Sequence, residues 1–151
     1  MKLLEKAKDK SFWVGVREKD CFKKYREELF DLWEKHCTSP REVLTYSDFK
    51  LYWVTGDRNI YERKYFSRRL AMDVSALLSL IYPEEEKYLI RLMDEIYAIC
   101  DEYTWCLPAH VYAHGHGAHE PYIVDLFAAQ TCFSLAEIYV LLSGRMDGVI
   151  S

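Results

Sequence analysis

NIYERKYFSRRLAMDVSALLSLIYPEEEKYLIRLMDEIYAIC, residues 59–100, reads as two helices with a stop between them. Asn59 with Glu62 offers a capping pair at the start. The segment to Tyr82 is charged in its first half and nearly all apolar in its second, so the predicted helix runs from the rim of the protein into its interior. Pro83 ends it, and Glu84, Glu85 and Glu86 then sit where the dipole of a new helix favours acids. Leu89, Leu92, Met93, Ile96, Ile99, Cys100 and Tyr103 follow as a one-sided stripe, the clearest helical periodicity in the chain. A short connection between two such helices predicts an antiparallel hairpin.

Working outward, the same pattern recurs. Phe22, Tyr25, Leu29, Leu32, Trp33 and His36 keep helical spacing over about 21–37, with Asp20 as a cap. Ser39, Pro40, Arg41 and Glu42 resemble a second helix start, feeding Val43, Tyr46, Phe49 and Trp53 and stopping near Gly56. The segment from about Tyr122 to Leu142 is apolar on nearly every side. Asp125, Gln130 and Glu137 interrupt it, so it reads as a buried core helix at the centre of the fold and not as a membrane span. Residues 1–20 carry no stripe and read as an extended or irregular lead-in from which Phe12, Trp13, Val14 and Val16 pack onto the body. No β-alternation is long enough for a sheet, and no repeat, linker or low-complexity segment divides the chain. The expected fold is all-α, about five helices in antiparallel hairpins within a single domain over 1–151.

Composition limits the function classes. Half of the 151 residues are apolar and 15% are aromatic, which excludes a disordered chain. Twelve tyrosines against seven phenylalanines suit clefts and half-buried surfaces, because tyrosine joins an apolar ring to a polar tip. A net charge of −4 without a basic stripe argues against a nucleic-acid binder. Five scattered cysteines with no CxxC point to a reducing compartment, and MKLLEKAKDK lacks the apolar run of a signal peptide, so a cytoplasmic protein is expected.

Two clusters carry potential chemistry. PAHVYAHGHGAHE, residues 108–120, holds His110, His114, His116 and His119. With Cys106 and Glu120 they supply ligand types for zinc, but the spacing fits no standard module and Gly115 and Gly117 loosen the loop. No metal or other cofactor is expected, and a metal-binding helical protein stays open as an alternative. His110 differs from the other three: Trp105, Leu107 and Pro108 anchor the backbone around it, and a fixed histidine can do chemistry. In YFSRR, residues 65–69, Arg68 and Arg69 suit either a bound carboxylate or ion pairing with acids such as Glu62 or those of a neighbouring helix; ion pairing is the preferred reading.

Three segments together resemble the N-terminal part of heparinase II/III-like polysaccharide lyases: TGDRNIYERKYFSRR (55–69), CDEYTWCLPAH (100–110) and DLFAAQTCFSLAEI (125–138). Many relatives read approximately YTW-x-LPAH and IDLF-A-ET-x-x-x-LAEI; this chain has Val124 before Asp125, and Gln130 where glutamate is common. The resemblance spans roughly residues 40–145. It implies part of an (α/α) toroid whose helical hairpins line a canyon for a sugar chain, and β-elimination at a uronic acid as the chemistry. That reaction needs a group to neutralise the carboxylate and a base to take the C5 proton. The neutralising Asn–His pair of the family has no counterpart here, since Asn59 is the sole asparagine, so no catalytic residue is carried over. The resemblance implies Trp105, His110 and Tyr103 as residues lining the canyon, Trp105 standing equally well as a core residue. The implied partner is an acidic polysaccharide or oligosaccharide, bound without elimination by these residues alone. A partial toroid would expose an apolar seam through which copies self-associate. The alternative is a non-catalytic helical carbohydrate-binding or interaction module.

Overall fold

The computed structural model describes residues 2–111 and 123–146, and they form an all-α protein. The eight α-helices among them are α1 (Lys2–Ala7), α2 (Lys10–Glu18), α3 (Lys23–His36), α4 (Tyr46–Thr55), α5 (Asn59–Ile81), α6 (Glu86–Cys100), α7 (Pro108–Val111) and α8 (Leu126–Leu142). The turn at 82–85 folds α6 back on α5, which makes the hairpin read from residues 59–100.

α5 is the axis of the molecule. Its 23 residues span about 35 Å, and it contributes to three buried clusters. Tyr61 and Tyr65 meet Phe49 of α4, Leu107, Val111 of α7 and Ala128 of α8. Met72 and Ala76 meet Leu92, Ile96 and Ile99 of α6 with Ile138 and Leu142 of α8. Ala71, Val74 and Leu78 meet Trp33 of α3 and Tyr88 of α6. A helix with packing partners on several sides is largely buried, and α5 also buries Arg68, Arg69, Ser75 and Ser79 while leaving Phe66 and Leu77 exposed.

The central position expected for the 123–142 helix therefore belongs to α5. α8 buries only Ala128, Thr131, Ile138 and Leu142, and it leaves Leu126 65% and Phe133 64% exposed. Apolar content on every face permits burial but does not cause it; the chain packs described elements against one side of α8 only. Length and composition alone would let Leu126–Arg145 cross a bilayer.

Four other expectations are corrected. The lead-in is helical. The Asp9 carboxylate caps α2 by accepting from the Ser11 N–H at 2.8 Å, the Trp13 indole N–H donates to the Ala7 carbonyl at 2.6 Å, and Arg17 reaches Glu84 at 2.6 Å. Trp13 and Val16 are half-buried there, whereas Phe12 and Val14 stay exposed. The helix expected from Ser39-Pro40-Arg41-Glu42 begins only at Tyr46, because Thr45 is the cap: its hydroxyl oxygen accepts from the Asp48 N–H and its O–H donates to the Asp48 carboxylate. Residues 39–45 instead offer backbone carbonyls to side chains, Ser39 to Arg91 and Val43 to Lys64. Finally, the N–H groups opening α5 are satisfied by Asp57, which accepts from Asn59 at 2.8 Å and from Ile60 at 3.4 Å; Glu62 pairs with Arg58. Likewise a 3₁₀ turn at Asp20–Phe22 precedes α3, and Asp20 does not cap it.

At the other end of α4, Gly56 adopts φ +78°, a left-handed conformation that suits glycine, and closes the helix through its N–H to the Tyr52 carbonyl.

Candidate functional site

The segment after α6 is fixed by bonds from three directions. The Trp105 indole N–H donates to the Ile99 carbonyl at 2.8 Å, and its ring packs against two of the core clusters. Trp105 is thus seated between clusters, in the position of a packing residue. The Tyr65 hydroxyl donates to the Trp105 carbonyl at 2.7 Å. Arg69 grips Glu102 with two bonds of 2.8 and 2.6 Å, while Arg68 approaches the same carboxylate at 3.1 Å. Both arginines are paired with an acid, as the ion-pairing reading of YFSRR has it, and the acid is Glu102. The Arg69 guanidinium also lies over the Tyr65 ring at 3.4 Å, and its Nε donates to the Thr131 hydroxyl at 3.3 Å. Burial raises the Tyr65 hydroxyl above the usual tyrosine range, with its bond to Thr131 opposing.

His110 stands one turn into this anchored segment. Its Nδ1 lies 2.6 Å from Asp125 Oδ2, and its ring stacks on Phe127 with the planes 9° apart. Asp125 does three things at once. It caps α8 by accepting from the Ala128 N–H at 2.7 Å, accepts from the Leu107 N–H at 3.1 Å, and holds the imidazole. Burial pushes its carboxyl up, but the Ala128 N–H, His110 and the Leu107 N–H together outweigh this and hold it below the usual carboxylate range. An ionised carboxylate only accepts, so Nδ1 carries the proton toward Asp125 and Nε2 is left as the nitrogen that can meet a ligand. The imidazole is one-third exposed, enough to be reached.

Tyr103 lies elsewhere. It is exposed at the mouth of a cleft of about 780 Å³ between residues 41–46, α4, the first turn of α5 and the end of α6. Phe49, Trp53, Tyr61 and Tyr97 share the walls with it, and Arg68 and Glu102 lie at the buried end. The Phe49 and Tyr103 rings meet edge to face at 6.1 Å. Burial raises the Tyr61 hydroxyl well above the tyrosine range.

The structure therefore brings His110 to Asp125, places Trp105 in the packing beneath, and sets Tyr103 on the aromatic cleft. Asp125 and Glu102 were not singled out in the sequence. The first could have been found as an acid immediately before an apolar helix; the second pairs across 33 residues and has no local signal. His114, His116 and His119 lie outside the described residues. Among the described residues no three histidine, cysteine or carboxylate side chains converge as metal ligands.

No protein-family model matches this chain, and no curated protein matches it.

Proposed function

We propose that this chain is a toroid portion like the N-terminal part of a heparinase II/III-like polysaccharide lyase, holding an acidic polysaccharide without performing β-elimination by itself. One observation carries the reading. The three segments that bear the resemblance interlock: Tyr65 and Arg69 from the first, Glu102, Trp105 and His110 from the second, Asp125 and Thr131 from the third. Residues that recur together for a shared reason are expected to meet in space, and here they build a polar knot of Tyr65, Arg69, Glu102 and Thr131 and, separately bonded on the same anchored segment, the His110–Asp125 pair with a one-third-exposed imidazole.

In this reading the knot positions and His110 binds. Asp125 fixes the ring through Nδ1, Phe127 fixes its plane, and Nε2 meets a hydroxyl or carboxylate of the sugar chain. Elimination also requires neutralisation of the uronate carboxylate and a placed base, and losing either removes orders of magnitude in rate. Arg68 and Arg69 cannot serve as the neutralising group while Glu102 occupies them.

Titration with oligomers of alginate, heparosan and chondroitin, followed by NMR, tests the reading. At least one should shift the His110 ring signals, with binding lost in His110→Ala, and none should gain ultraviolet absorbance from unsaturated uronate. Absence of binding by every uronate polymer would overturn it, and so would turnover by the chain alone.

A further inference from the structure

We propose that the cleft beside α4 is a binding site for an uncharged saccharide ring. This goes beyond the reading above, which concerns an acidic chain at His110, and stands without it. The volume of about 780 Å³ is that of a small-molecule site. Its walls are aromatic and its deep end is polar. Tyr46 is 76% exposed and Tyr97 66% exposed, so their rings face the opening and not the core. Arg68 and Glu102, nearly buried and 3.1 Å apart, form the far end, and the Arg68 Nε–H has no hydrogen-bond partner among the described residues.

That combination selects the ligand class by elimination. A wholly apolar ligand would strip water from Arg68, Glu102 and Asp101 and return no hydrogen bonds. A carboxylate, sulfate or phosphate would find no guanidinium here free to grip it and would meet Asp101, the lining carboxylate without an ion-pair partner among the described residues; Glu42 is held by Arg63, and Glu102 by Arg68 and Arg69. Both lining guanidiniums are already engaged, Arg68 with Glu102 and Arg41 with the Asp94 carbonyl at 2.6 Å. A pyranose ring answers both demands. Its C–H face lies on a tyrosine ring, and its hydroxyls, each donor and acceptor, meet the carboxylates and the guanidinium.

The test uses the full chain and two panels of equal length: uncharged cello-, chito- and xylo-oligosaccharides, and oligomannuronate and oligogalacturonate. Binding is read from NMR shifts of the Trp53 indole, which lines the cleft. At least one uncharged oligosaccharide should bind, with either uronate about tenfold weaker or worse at this signal. Tyr46→Ala and Tyr97→Ala remove exposed side chains and leave the core intact; each should weaken binding about tenfold, the scale of one aromatic anchor. Failure of every uncharged sugar to bind would overturn the proposal, as would uncharged binding that survives both substitutions, or tighter binding of uronates at the Trp53 signal. Uronate binding that depends on His110 alone would leave the preceding reading intact while this one falls.

Discussion

Arg69 and Glu102 face each other in a two-bonded ion pair inside the protein, the guanidinium on α5 and the carboxylate on the segment just after α6. The Glu102 side chain is 4% exposed and also carries Arg68. Removing it by Glu102→Ala leaves two buried guanidiniums without their acid. Breaking a buried pair in this way costs about 3–5 kcal/mol, a large share of a domain's stability. Chemical denaturation should show that loss, while Glu42→Ala, whose partner Arg63 is largely exposed, should shift stability by less than about 1 kcal/mol.

The Asp125 carboxylate separates cap from orienting group. Asp125→Ala removes the α8 cap and the bonds to Leu107 and His110, and should cost roughly 2 kcal/mol or more. Asp125→Asn retains a capping oxygen and should cost less. In both variants the His110 ring should lose its fixed orientation, read as changed ring-proton NMR shifts.

Asp73 gives the fold a pH dependence. Burial, helped by Glu137 and opposed by Arg69, raises its carboxyl from 3.8 to about 6. The folded state thus holds the proton that the unfolded state releases between about pH 4 and 6. Across that interval stability falls as pH rises, the penalty being complete above about 6 and absent below about 4. Asp73→Asn should therefore stabilise the protein at pH 7.5, by at most about 3 kcal/mol, and should have little effect at pH 3.5. An equal effect at both pH values would contradict the assignment.

The helices α3 and α6 were legible because their apolar residues repeat at helical spacing, and α5 and α8 as long apolar segments bounded by stop signals. What escaped was anything decided at a distance. Ser39 was the cap the sequence suggested, and Thr45 is the cap of α4; Arg91 and Lys64, from α6 and α5, take carbonyls that a longer helix would have used. α2 buries no residue, and its Asp9 cap and the Trp13 bond hold it in place. The centrality of α5 was hidden by Arg68, Arg69, Ser75 and Ser79: the arginines are buried against Glu102 and Ser75 against Cys37, while the buried Ser79 Oγ has no hydrogen-bond partner among the described residues. At the site, the anchored position of His110 was readable and Asp125 was visible as an acid before an apolar helix, but their pairing across 15 residues left no local signal.

That correction has a measurable form. Leu78→Ala on α5 should cost about 2–5 kcal/mol, as for a fully buried leucine. Leu126→Ala on α8 should stay within about 0.5 kcal/mol, as for an exposed position. A reversed order would return α8 to the centre.

The exposed face of α8 should make the chain self-associate. Leu126, Phe133, Tyr139 and Val140 are all exposed along it. Sedimentation should show concentration-dependent dimer or higher species, reduced by Phe133→Glu. A monomer at all concentrations would contradict the expectation.

The central claim is that His110, held by Asp125, meets an acidic sugar chain without eliminating it. The most direct measurement is a paired assay on the same sample: binding of uronate oligosaccharides by calorimetry, and ultraviolet absorbance of the mixture over time. The account predicts binding of at least one uronate oligomer, lost in His110→Ala, with flat absorbance. Rising absorbance that His110→Ala abolishes would show His110 to be a catalytic residue and would contradict the account.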